Sequence, residues 1–123
     1  MSEDLVHKAD EAAAHAYAPY SEYRVGAVVR TTDGREFAGV NVENAAYPLG
    51  ICAEKSAIVA AAAAGYRPGD LAAIGINASP CGGCRQWLLE MGVERVVFRS
   101  GDRVVTMTPD ELLPASFGSS ELP

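Results

Sequence analysis

The chain has 123 residues, of which 49% are hydrophobic and 21% charged, and its net charge is -6. That length predicts one domain over 1–123, with a core large enough to fold without a staple. The acidic balance excludes a nucleic-acid backbone or an anionic membrane surface as the main partner, no apolar run reaches bilayer-spanning length, and the acidic "MSEDLVHK" start lacks a secretory core, so a cytoplasmic setting is expected.

Residues 3–18 place Leu5, Val6, Ala9, Ala12, Ala13 and Ala16 at helical spacing, and Pro19 closes that predicted helix. "RVGAVVRTTDGREFAGVNV" reads as a β-hairpin, because two apolar runs flank Asp33-Gly34. Residues 41–51 are expected to be a loop containing Pro48 and Gly50, and "CAEKSAIVAAAAAG" a second helix ending at Gly65. Its alanine run, 60–64, marks a closely packed helix. "LAAIGIN" fits a buried strand, and "SPCGGCRQWLLEMG" a tight turn into a third helix. "ERVVFRS" and "RVVTM" complete the strands, with a short helix at "TPDELL", while "FGSSELP" carries no strong signal. The order α-β-β-α-β-α-β-β-α implies one mixed sheet with helices packed on its faces.

All three cysteines fall in two of these elements: Cys52 starts the second helix, and Cys81 and Cys84 start the third. A C-x-x-C pair alone serves either redox chemistry or zinc. A redox pair would have no use for Cys52, whereas zinc takes a third thiolate and keeps a fourth position open, the catalytic arrangement. His7 and His15 are the only histidines, both in the first predicted helix, and either would be needed to close a structural tetrahedron. Helix N-termini favour thiolate over thiol. Glu54 then lies two residues after one ligand, where a carboxylate can accept and return a proton. A helix-start glutamate favoured by the macrodipole is the plainer reading of the same residue.

"CAEK" followed by "PCGGC" resembles the zinc-dependent deaminase signature, in which zinc, water and a glutamate share the chemistry. The further blocks "AYAPYSEYRVGAVV", "GVNVENAAYPLGICAEKSAI" and "ELLPASF" resemble, in order, the small cytidine deaminases of nucleoside salvage. That resemblance implies a three-layer α/β/α sandwich around a mixed five-stranded sheet. It also implies hydrolytic deamination of cytidine and 2′-deoxycytidine, and a homotetramer with composite sites. Cys52, Cys81 and Cys84 would hold one zinc ion per subunit, and Glu54 would shuttle protons. Asn41 and Glu43 would hydrogen-bond the ribose. Tyr23, at a position usually held by phenylalanine, would stack on the pyrimidine, and the backbone of Ala53 would hold the base. Phe117 would reach into a neighbouring subunit's site.

Two departures stand out. Lys55 occupies a position where the family's all-cysteine members carry arginine against the thiolates; lysine keeps the charge but loses the planar fork, and Gln86 is expected to share the task. Only "ASP" separates Asn77 from Cys81, where many relatives have a longer loop. The competing readings are a deaminase of another aminopyrimidine nucleoside such as blasticidin S, a non-catalytic zinc module and a thiol redox protein.

Overall fold

The computed structural model describes residues 2–123. Its regular elements are α1 (Asp4–Ala13), β1 (Gly26–Thr31), β2 (Glu36–Val40), α2 (Ala53–Ala63), β3 (Leu71–Ile76), α3 (Gly82–Met91), β4 (Arg95–Ser100), β5 (Arg103–Met107) and α4 (Pro109–Leu112). The expected element order is therefore present, in a five-stranded sheet of order β2-β1-β3-β4-β5. β1 pairs antiparallel with β2 and with β3, β3 pairs parallel with β4, and β4 pairs antiparallel with β5. The sheet is mixed, as expected.

Strand periodicity sorts the core into two layers. Ala27, Val29, Ile74, Ile76, Val96 and Phe98 share one face with Ala53, Ala57 and Ile58 of α2 and Leu88 of α3. The alternate residues Val28 and Ala73 meet Leu5 of α1 on the other face. A period of two thus sends successive side chains into different helical layers. β3 is buried on both sides, which explains its continuous apolar run.

The first helix is shorter than its periodicity suggests. It ends at Ala13, and Ala14, His15 and Ala16 continue only as tight i→i+3 turns. The chain then straightens because Tyr17 pairs with the segment after β2: its N–H reaches the carbonyl of Asn41 (3.1 Å), and its carbonyl accepts from Glu43 (2.8 Å). The expected 41–51 loop is partly ordered by the same pairing. Val42 and Ile51 exchange two backbone hydrogen bonds of 2.9 Å, so residues 42–51 fold back on themselves. Asn41 and Val25 are likewise withdrawn from the hairpin strands, which span only 26–31 and 36–40.

The alanine-rich α2 owes its position to a glycine. A β-carbon added at Gly39 would fall within 2.6 Å of the Ala53 carbonyl oxygen and collide with the backbone of Ala57. Helix and strand backbones touch there because neither carries bulk. Gly39→Ala is expected to push the helix off the sheet, costing about 1–3 kcal/mol as overpacking. The melting temperature should fall by roughly 5–10 °C in a calorimetric scan. An unchanged melt would show that the helix is not seated this closely.

Candidate metal and active site

Both cysteine-bearing helices begin at one end of the sheet. Cys52 is the residue before the first turn of α2, and Cys81 holds the same place before α3, each in an extended conformation. The carbonyl of each accepts the first helical hydrogen bond, from Ser56 (3.1 Å) and Arg85 (3.0 Å) respectively. A residue in this capping position aims its side chain at the free N–H groups of the first turn. Pro80 brings the chain into α3, and Arg85 secures the turn by donating to the carbonyls of Pro80 (2.9 Å) and Leu112 (3.0 Å).

The three sulfurs lie within 4.8 Å of one another although Cys52 and Cys81 are 29 residues apart in sequence. The Cys52 and Cys81 sulfurs are 3.9 Å apart. A tetrahedron with zinc–sulfur bonds of about 2.3 Å has edges of about 3.8 Å, so this spacing fits zinc. Among the described residues only these three join the cluster; neither His7 nor His15 does. His15 instead borders a groove with Lys8 and Glu11. A third thiol in contact with the C-x-x-C pair also disfavours a simple dithiol redox centre.

The donor set itself calls for a cation. Burial pushes the Cys84 thiol far above the ordinary thiol range, and the charges of Glu54 and Cys52 push in the same direction. Burial likewise raises Cys52, with Cys81 and Glu54 adding to it. Burial also works against ionisation of Cys81, but hydrogen bonds from the Cys84 N–H and from the other two thiols outweigh it, and its pKa is lowered. Three thiolates cannot coexist this closely without a positive ion to hold them.

Glu54 is buried, with 3% of its surface exposed, in the first turn of α2. Burial raises its carboxyl above the usual range, and its own N–H, the Cys84 thiol and the Lys55 ammonium pull the other way without cancelling the effect. It faces a cavity of about 220 Å³ together with Tyr23, Asn41, Ala53, Cys52 and Cys81. Val25, which nothing in the sequence singles out, and Ala78 and Ser79 complete the wall. The short "ASP" segment thus does line the cavity.

The remaining candidates separate. The Asn41 side chain receives the N–H of Val25 (2.9 Å) and donates to the carbonyl of Tyr23 (2.8 Å), so it holds the wall that carries Tyr23. Glu43 borders a neighbouring depression of about 350 Å³ with Tyr20, Ser21 and Tyr47. Its carboxylate accepts from the N–H groups of Tyr20 (2.9 Å) and Ser21 (3.1 Å) and from the Ser21 hydroxyl. The Ser21 hydroxyl, foremost, holds its pKa below the usual range. Phe117 is 61% exposed and does not line the cavity. Its carbonyl accepts from the Gln86 side chain (2.8 Å), so Gln86 is engaged with the C-terminal segment rather than with the sulfurs. Lys55 extends toward α3, beside Gly83 and the ring of Trp87.

Comparison with known proteins points the same way. Residues 1–100 match the family model described as the cytidine and deoxycytidylate deaminase zinc-binding region. The chain is 41% identical to the cytidine deaminase of Mycobacterium tuberculosis, over 94% of this chain and 88% of that protein. It is 37% identical to a probable cytidine deaminase of Dictyostelium discoideum, over 98% of this chain and 86% of that relative. The crystal structure of cytidine deaminase from Burkholderia pseudomallei superposes with a TM-score of 0.87 at 44% identity, covering 95% of this chain and 99% of that one.

Proposed function

The chain belongs to the cytidine and deoxycytidylate deaminase family, and from that premise we propose that it hydrolyses cytidine and 2′-deoxycytidine to uridine and 2′-deoxyuridine, releasing ammonia. The observation that carries the proposal is a buried carboxylate, Glu54, facing one cavity with sulfurs spaced for zinc.

Cys52, Cys81 and Cys84 would hold the zinc, which when bound would supply the Lewis acidity that makes water nucleophilic near neutral pH. Glu54 takes a proton from the attacking water, gives it to N3 of the pyrimidine and carries the second proton to the departing amine. The water oxygen bonds to C4 and the C4–N bond breaks, so cytidine and water become uridine and ammonia. The raised pKa of Glu54 suits it to both halves of that exchange. Tyr23 offers a ring to the base. Ala53 is the first residue of α2, so its N–H has no partner within the helix and is free for the base carbonyl. Asn41 retains one free lone pair and one N–H for the ribose.

Glu43 serves the ribose only when its carboxylate turns from Ser21, or when it acts by fixing the 20–22 turn. Phe117 and the depression beside Glu43 face outward, which suits composite sites in a homotetramer. Tyr17, Val42, Tyr47, Leu49 and Ile51 are all exposed along the paired 17–51 region, an apolar surface that a second copy would cover. Light scattering on the eluting protein checks this, and a monomer mass would reject it. Among the described residues no helix is long and apolar enough to cross a membrane, and we place the reaction in cytoplasmic pyrimidine salvage.

The direct test incubates the zinc-loaded protein with cytidine, deoxycytidine and cytosine and follows loss of the 4-amino chromophore by ultraviolet absorbance. Turnover of the two nucleosides is expected. No turnover of either would reject the function.

A further inference from the structure

Lys55 is a half-buried cation with no carboxylate within ion-pair distance and no hydrogen-bond acceptor among the described residues. Its ammonium nitrogen lies 5.8 Å from the ring centroid of Trp87, within the range at which an indole face attracts a cation. It also runs close over the first turn of α3, where a β-carbon at Gly83 would be 3.9 Å from it. Gly83 sits between Cys81 and Cys84. The amino terminus of a helix repels a cation, so something must hold the ammonium there. Trp87, the only tryptophan in the chain, is one turn further along the same helix.

We propose that Trp87 is a positioning residue for the metal centre, its indole face holding the Lys55 ammonium beside the turn that carries Cys81 and Cys84. A dication with three thiolates sums to one negative charge. A positive group held nearby offsets that charge and so favours the complex. An unrestrained lysine at this position would extend into water, where its charge is screened. The tryptophan thereby does part of what a forked guanidinium would do by direct hydrogen bonds.

The inference rests on the zinc part of the proposed function but not on turnover, and its test needs no substrate. Zinc affinity is measured by competition with a chromogenic chelator for the native chain and for Trp87→Ala, Trp87→Phe, Lys55→Met, Lys55→Arg and the Lys55→Met/Trp87→Ala pair. Trp87→Ala should weaken zinc binding by about two- to fivefold, from the usual strength of a cation–aromatic contact. Trp87→Phe should keep most of the affinity, and Lys55→Arg all of it. The double variant should bind zinc no more weakly than Lys55→Met alone. In proton NMR the ε-methylene of Lys55 should be shifted upfield by the indole ring, and Trp87→Ala should return it to the ordinary lysine position. Because Trp87 is exposed, its replacement is expected to leave the fold intact, checked by an unchanged metal-free melt. Native zinc affinity in Trp87→Ala, losses that simply multiply in the double variant, or an unshifted Lys55 methylene would each overturn the assignment. Zinc coupling without cytidine turnover would reject the proposed substrate and leave this inference standing.

Discussion

Glu54→Gln should leave the chain folded and zinc-loaded yet lower its turnover of cytidine by about 10²–10⁴-fold, the usual contribution of a positioned acid–base group. Glutamine matches the shape of the carboxylate and fills the same buried site in the first turn of α2. It cannot accept a proton from water or return one to the pyrimidine. The loss should fall on kcat more than on KM, because the carboxylate acts on the reacting atoms while the ribose and base are held elsewhere. Metal content is measured in the same preparation, so that a zinc-free protein is not mistaken for a catalytic defect. Near-normal kcat with one zinc per chain would remove Glu54 from the proton path.

The second large effect is expected at Cys84. This cysteine is the one buried residue in the first turn of α3, with no exposed surface, in contact with Cys52, Cys81 and Glu54. Losing even an outer hydrogen-bonding partner of a metal ligand costs about 10–100-fold in affinity. Removing a ligand should therefore exceed 100-fold, which empties the site at micromolar protein. Cys84→Ala is preferred to serine because it leaves no unpaired hydroxyl in an apolar environment. The sheet and α2 hold the surrounding core, so circular dichroism should remain native while zinc and turnover are lost together. Stoichiometric zinc in Cys84→Ala would mean that the metal sits elsewhere. Full cytidine turnover by a zinc-free protein would contradict the mechanism itself.

Much of the site was legible because its key groups are local. "CAEK" places a thiol and a carboxylate on one helical start, and "PCGGC" places two thiols on another, by backbone geometry that needs no tertiary information. Along β1 and β3, side-chain alternation likewise separates the residues that face α1 from those that face α2 and α3. The first helix was overextended because Ala14, Ala16 and Ala18 are as compatible with a helix as Ala12 and Ala13. What ends it is the pairing of Tyr17 with Asn41 and Glu43, a contact across more than twenty residues. The resemblance gives Asn41 and Glu43 a shared task at the ribose; what it does not show is that the turn at Ser21 engages the Glu43 carboxylate, or that the Asn41 side chain also supports the wall that carries Tyr23. Gln86 was expected near the sulfurs, two residues after Cys84. Helical rotation carries it away to the carbonyl of Phe117.

The sequence by itself determined that a thiol and a carboxylate share one helix start, that two thiols share another, and that strands and helices alternate in an order that makes one mixed sheet. Each follows from helix-start geometry or from side-chain period, which act over a few residues. Only the tertiary structure decided that Cys52 and Cys81, 29 residues apart, would have sulfurs 3.9 Å apart. It also decided that α2 would lie directly on Gly39 and that Lys55 would find Trp87 on the neighbouring helix. Those contacts depend on how two helices settle on one sheet, and close packing, rather than any local preference, sets that distance.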